Sequence, residues 1–394
     1  MRSIILICSL TLLPLCDVRA TPLEDLLIER GVINRHSDPD PSMAQENAMK
    51  VYWKDGARIE TPDNRFSLLL TSQIKTSYIY TDAPPAKENT SSFDVRNARM
   101  ILSGDALQKE FTYKFEYDLK TQQALDNYLG WNTSDWLDLR MGQFKTPISR
   151  QFVNGSFKLM FPDVSTSSAY FSYGYQSGAR AAAKFFENKL IAALSATNGN
   201  STGEGVNTQA TDTKNMFTSD VRWNPIGKMN AYEESDLDFT EQPALSFGTA
   251  YAYSPQNTVN QQVTSDLDVN RISTDANLKY RGLGINAEFY LSHESPSGGE
   301  SFTTTGAYIQ SGYFIVPKRV EIAGRWAMIN CADGQGSGAC KNVNLINQAT
   351  ADVTYYFSKY NLRVQAAYDY LHTQMVTDDT NDQRRWIMQV VGIL

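Results

Sequence analysis

The chain has 394 residues, with 36 Lys or Arg against 43 Asp or Glu and a formal net charge of −7, an acidic balance that argues against nucleic acid as a partner. Beyond the first twenty residues no apolar run is long enough for a membrane-spanning helix. Spanning by strands stays open, because a barrel strand needs only about ten residues of alternation.

The opening MRSIILICSLTLLPLCDVRA has Arg2 as a short basic region, an apolar run from Ile4 to Leu15, and Val18 and Ala20 before a cleavage point. It reads as a secretory signal peptide over residues 1–20. A lipid anchor at Cys16 is the weaker reading, since Leu15 stands where a small residue is wanted. Residues 21–64 carry Leu23, Leu26 and Leu27 and then Pro39 and Pro41, which predicts a short helix and linker on the periplasmic side. Within them VYWKDGARIE reads as an extra strand or lead-in. Residues 65–394 then alternate regularly.

Period-two patterning predicts sixteen strands, at 65–81, 93–105, 111–120, 123–132, 136–144, 178–186, 189–198, 214–224, 243–254, 270–281, 284–294, 303–316, 319–329, 348–358, 361–372 and 384–394. Connections after even-numbered strands are mostly short and those after odd-numbered strands mostly long. Two break the rule, the short one at 121–122 and the long one at 225–242. Short turns on one side and long loops on the other, with an even strand count, are the habit of outer-membrane β-barrels. A secreted sandwich has no reason to sort its loops this way.

The strand faces agree. In FTYKFEYDLK, Phe111, Tyr113, Phe115, Tyr117 and Leu119 oppose Thr112, Lys114, Glu116, Asp118 and Lys120. In RVEIAGRWAMI, Val320, Ile322 and Trp326 oppose Glu321 and Arg325. Lipid outside and water inside suit this pattern. The fold class is therefore an all-β, 16-stranded antiparallel transmembrane barrel, with both termini in the periplasm. The last strand ends on Leu394, where barrel-assembly signals more typically carry Phe or Trp.

Residues 145–177 show no alternation, and a structureless stretch of that length inside a domain points to function. Its charged residues are Lys145, Arg150, Lys158 and Asp163, a local charge of +2 in an acidic chain. Near its end, Tyr170, Phe171, Tyr173 and Tyr175 read as packing anchors, with a sugar-stacking surface as the other reading. Further on, Cys331 and Cys340 flank ADGQGSGA, and in an exported chain such a pair reads as a disulfide, free thiols being the alternative. His36, His293 and His372 lie far from that pair in sequence, so neither metal nor cofactor is implied. No Ser and carboxylate signature accompanies His293 or His372, which argues against an enzyme.

Several segments, WKDGARIET, FDVRNARMILSG, FTYKFEYDL, LRMGQFKTPIS and GYFIVPKRVEIAGRW, resemble the phosphate-selective porin O/P family in order and spacing. The resemblance implies a homotrimeric outer-membrane barrel surrounded by lipid, with its third external loop folded inward and cations lining a path for phosphate or polyphosphate. That loop corresponds here to 145–177. Two departures stand out. A family Arg-Arg pair is replaced by Arg96 and Asn97, with Arg99 following, and the MFPDV string keeps Asp163 without an adjacent Arg.

Extending the faces inward makes Lys75, Arg99, Lys114, Arg140, Arg222, Lys279, Arg325 and Arg363 the lumen-facing cations. Against them stand Glu116, Asp118, Asp138, Asp220, Asp275, Glu288, Glu321, Asp352 and Asp369. Selectivity then rests on Lys145, Arg150 and Lys158 as the pore constriction and anion-binding residues, unless these pair with wall carboxylates and merely pin the loop. The expected function is passive diffusion of small hydrophilic solutes, with small anions in transit. The alternative is a general, weakly cation-preferring or sugar-permeable porin on the same barrel.

Overall fold

The alternating segments form sixteen strands, each overlapping its predicted range: β1 (Phe66–Asp82), β2 (Thr90–Ala106), β3 (Phe111–Asp118), β4 (Gln123–Ser134), β5 (Leu137–Lys145), β6 (Tyr175–Phe185), β7 (Leu190–Thr197), β8 (Met216–Ile226), β9 (Ala244–Asn260), β10 (Val263–Tyr280), β11 (Leu283–Pro296), β12 (Phe302–Val316), β13 (Val320–Asn330), β14 (Val343–Ser358), β15 (Leu362–Met375) and β16 (Thr380–Ile393). The computed structural model describes residues 48–83, 88–199, 207–208, 211–212, 214–230, 232–260, 263–336, 338–377 and 379–394. The predicted signal peptide and the N-terminal segment up to residue 47 lie outside them.

Each strand pairs antiparallel with the next, and β16 returns to β1, with Arg384 opposite Asp82 and Ile393 opposite Gln73. Leu394 and Ser72 exchange backbone hydrogen bonds of 2.8 Å in both directions, so the seam is bonded to the last residue. A closed sheet has no unpaired edge, which is what a hydrocarbon surrounding requires. A hairpin of Lys50–Trp53 and Ala57–Glu60 continues the sheet beneath the end of β16, with Ala57 to Glu60 pairing against Leu70 to Ser67.

Burial runs opposite to that of a water-soluble protein. On β3, Phe115 and Tyr117 are 51% and 44% exposed while Glu116 and Asp118 are 4% and 1% exposed. On β13, Trp326 is 45% exposed and Glu321 1%. The outward side chains thus present an apolar surface of the kind a hydrocarbon surrounding requires, and the inward ones carry the charge.

At the end where β1 begins and β16 finishes, most turns span two to four residues. One of the two-residue turns, Arg281 and Gly282 between β10 and β11, has φ of 47° and 84°. Two consecutive left-handed residues give a primed hairpin turn, whose twist matches the strands it joins. The sequence exceptions persist: 119–122 is a short turn at the far end, and 227–243 is a long connection at the terminal end. Several strands also run further at the far end than their patterning suggests, above all β9 and β10, which continue to Asn260 and Val263.

Three apolar clusters lie inside the barrel. One joins Phe171 to Tyr290, Tyr308, Ile329, Cys331, Cys340, Val343 and Ile346. A second joins Ile148 to Met216, Ala250 and Ala252, and a third joins Leu237 to Phe314, Tyr356 and Tyr360. In each, a residue from a connection is packed against a strand. The Cys331 to Cys340 disulfide is present and sits fully buried in the first cluster.

Candidate functional site in the barrel lumen

The connection 146–174 between β5 and β6 lies against the inner wall. Two one-turn helices shape it, α1 (Arg150–Val153) and α2 (Thr166–Phe171). Ser149 caps α1 by accepting from Phe152 N–H, and Ser165 caps α2 by accepting from Ser168 N–H. Cap residues and single turns explain why the period-two pattern vanishes here.

Wall side chains from many strands seize this segment. Glu288 of β11 accepts from the backbone N–H of Arg150 at 3.1 Å and of Gln151 at 2.6 Å, and from the hydroxyls of Tyr290 and Tyr308 at 2.6 and 2.7 Å. The Phe171 ring stacks on Tyr290 at 5.0 Å with an interplanar angle of 1°. Burying such a ring contributes roughly 1.5–3 kcal/mol. The four loop aromatics therefore pack: Phe171 is fully buried and Tyr170, Tyr173 and Tyr175 are half-buried.

Of the three loop cations, Arg150 is 3% exposed, with its guanidinium 2.5 Å from Asp275 and 2.9 Å from Ser246 Oγ. Lys158 pairs with Glu233 at 2.7 Å. Lys145 donates to the carbonyl oxygens of Phe152 and Asn154 at 2.8 and 2.9 Å. Each is thus engaged within the protein.

The wall cations divide into two groups. On the filled side, Lys75 donates to Ser156 O, Arg363 to Leu159 O at 3.1 Å and Arg325 to Asp163 O at 2.8 Å. Lys279 reaches Asn230 O at 3.3 Å. Their exposures are 5% or less, and their charge is spent on carbonyls of the inward segments. On the other side, Arg99 holds Glu116 and Asp118 at 2.9 and 3.1 Å, and Lys114 holds Glu116 and Asp126 at 2.8 and 2.7 Å. Arg140 lies over the Tyr128 ring at 4.0 Å, and Arg222 over the Tyr232 ring at 4.4 Å.

Among the described residues five inward cations escaped the sequence reading, one of them Lys184, which pairs with Asp138 at 2.5 Å. Arg96 forms an ion pair with Asp163, and Arg385 stands 3.8 Å from the same carboxylate. A β-bulge explains Arg96: Lys75 pairs with Asn97 but Thr76 with Val95, so one residue is inserted and Arg96 turns inward beside Asn97. The missing neighbour of Asp163 is thereby supplied from another strand. Arg180, which grips Asp220 at 2.6 and 2.9 Å, Arg385 and Arg271 follow plain alternation and were legible. Arg271 donates to Phe171 O at 2.7 Å and lies over Tyr173.

The inward side chains of β9 to β15 are nearly all buried, Gln310 and Gln365 among them. On β4 to β8 Gln176, Ser195, Thr197 and Thr218 are buried too, but Tyr128, Asp138, Arg140, Lys184 and Arg222 stay partly exposed. The water-accessible lumen therefore borders β4 to β8. Among the described residues every lumen-facing carboxylate of β3 to β8 is ion-paired: Glu116, Asp118, Asp126, Asp138 with Lys184, and Asp220. Among the described residues no carboxylate forms an ion pair with Arg140 or Arg222.

Near the histidines, His293 lies 3.4 Å from Ser295 Oγ, but its other nitrogen meets Thr303, and His372 faces Asp382. Neither forms a nucleophile, base and carboxylate series.

A closed sixteen-stranded barrel with an apolar exterior, a charged lumen and an inward connection is the architecture of an outer-membrane porin and points to a channel. The chain belongs to the phosphate-selective porin O and P family, whose sequence profile matches residues 70–391. No curated protein sequence matches it as a relative. Among solved structures it is similar in fold to an anion-selective porin from Comamonas acidovorans, at 11% identity over 84% of this chain and 100% of that one, with a TM-score of 0.58. The outer membrane channel DcaP of Acinetobacter baumannii aligns at 12% identity over 84% and 97%, with a TM-score of 0.59. The trimer form of OmpT from Vibrio cholerae aligns at 10% identity over 83% and 99%, with a TM-score of 0.54.

Proposed function

We propose that this porin passes small anions in preference to cations, phosphate and polyphosphate among them, and that it works as a homotrimer. The observation that carries the first part is the open wall, where, among the described residues, the charges held neither by a carboxylate nor by a backbone carbonyl are the guanidinium groups of Arg140 and Arg222. A guanidinium held flat on a tyrosine keeps its edge N–H donors free, and that edge matches the oxygens of a phosphate or carboxylate. In a narrow, low-dielectric passage two uncompensated cations bias the local ion population toward anions.

Lys145, Arg150 and Lys158 keep a part in this reading as the charges that hold the constriction. The permeating anion meets Arg140 and Arg222, with Arg99 and Lys114 shared between wall acids and solute. The trimer rests on family kinship and on the OmpT form named above, and light scattering of the detergent-extracted protein tests it.

Reversal potential across a planar bilayer with a potassium chloride gradient tests selectivity. Chloride preference is expected, and Arg140→Ala with Arg222→Ala lowers the chloride to potassium permeability ratio by about two-fold or more. A potassium preference in the parent protein sinks the proposal in favour of the general or cation-preferring pore. Block of the chloride current by millimolar phosphate, a weak-site affinity of about 4 kcal/mol, separates phosphate from chloride alone.

A further inference from the structure

The connection 227–243 is the one long crossing at the terminal end of the barrel, where the other turns span two to four residues. Its sequence continues from Gly227 as KMN and, from Tyr232, YEESDLDFTEQP, which carries five carboxylates and would be expected to sit in water. Instead Glu234, Ser235 and Asp236 are each 1% exposed and Leu237 is 4% exposed.

Two sets of contacts account for that burial. The first fixes the segment to the wall. Leu237 packs against Phe314, Tyr356 and Tyr360, with Phe239 beside Phe314 at 5.6 Å. Ser235 Oγ donates to Glu321 at 2.9 Å, and the Asp236 carboxylate accepts from Gly282 N–H at 2.7 Å and from the Thr240 hydroxyl at 2.6 Å. The second set joins it to the 146–174 connection. Met160 N–H donates to Glu234 at 2.6 Å, the Gln151 side-chain amide donates to the same carboxylate at 3.0 Å, and Lys158 pairs with Glu233 at 2.7 Å.

Glu234 is therefore a buried carboxylate whose donors among the described residues, Met160 N–H and the Gln151 amide, both belong to the opposing loop. Moving that loop away strips a buried carboxylate of its donors, which burial makes strongly unfavourable. The segment reaches the water path as well, since Tyr232 is the ring beneath Arg222.

We infer that 227–243 is a second constriction element, entering from the periplasmic end, and that Glu234 and Glu233 are positioning residues that latch the 146–174 loop in its narrow setting. The pore is thus narrowed from both ends by two connections that hold each other, one crossing from outside and one from below. This concerns pore width and gating rather than ion sign, so it stands or falls apart from the selectivity proposal.

The test is single-channel conductance and open-channel noise of the full-length protein in a planar bilayer, with heat-modifiable gel migration as the check that the barrel has formed. Glu234→Ala is expected to raise conductance by about half or more and to add open-state flicker, with the chloride to potassium ratio changing less than it does in the Arg140 and Arg222 variants. Because burial makes Glu234 a risky site, the partly exposed pair supplies the second arm. Lys158→Glu and Glu233→Lys each reproduce the flicker, and the double exchange restores quiet parental openings. A purely structural role predicts loss of heat resistance with unchanged conductance in all variants, and that result overturns the inference. So does a double exchange no quieter than the single ones.

Discussion

The two halves of the inner wall are built from the same alternation and carry similar numbers of cations, yet they use them differently. On β9 to β15 and at the seam, Lys75, Arg325 and Arg363 turn their donors on loop carbonyls and are buried. On β4 to β8, Arg140 and Arg222 rest on tyrosines and border water. Sequence pattern decides that a side chain points inward. Where the inward connections lie decides whether it then faces a carbonyl or a solute.

The largest expected effect contrasts the two halves directly. Arg150→Ala leaves Asp275 buried without its partner and should cost about 3–5 kcal/mol. Arg180→Ala strips Asp220 of a similar contact beside water and should cost about 1–2 kcal/mol. Thermal loss of the compact gel band measures both, and equal losses would erase the distinction between filled and open walls.

A smaller effect concerns acid. Burial raises the Asp163 carboxyl, but Arg96, Arg385 and Lys75 outweigh it and hold the group below the ordinary aspartate value of 3.8. A depressed carboxylate contributes stability above its unfolded value and loses it as pH falls through the lower folded one. The tether of the loop at Asp163 should therefore hold steady from neutrality down to about pH 4.5 and fail only in stronger acid. Channel noise recorded against pH checks this, and Asp163→Asn should be noisy at every pH. A rise in noise already at pH 6 in the parent would show that another group governs the loop.

The smallest effect belongs to the rim. Lys120 and Asp94 meet at 2.8 Å with side chains 47% and 40% exposed. Lys120→Ala should change stability by no more than about 1 kcal/mol, since solvent screens the pair. A larger shift in gel-band melting would mean that the rim carries structure its exposure does not suggest.

Much of the architecture was legible because its causes are local. Lipid outside and water inside force period two on every strand, and closure forces the even count and the sorting of turn lengths. The disulfide could be read for a similar reason, since Cys331 and Cys340 lie close in the chain. The exception at 225–242 was visible as a break in parity, although nothing in an acidic stretch announced that it would be buried.

What the strands could not encode alone is the pairing of charges across the lumen. Alternation places Arg99, Arg140 and Arg325 inside but is silent on partners, because those partners lie up to some 160 residues away, as between Asp163 and Arg325. Arg96 is missing from the lumen-facing cations for a different reason: one inserted residue at a bulge reverses which face it joins. The sequence by itself determined a lipid-facing barrel of sixteen strands with one interrupted connection, since side-chain polarity and strand period are set residue by residue. Only the tertiary structure decided which cations remain free, because that depends on where two connections from opposite ends of the barrel meet.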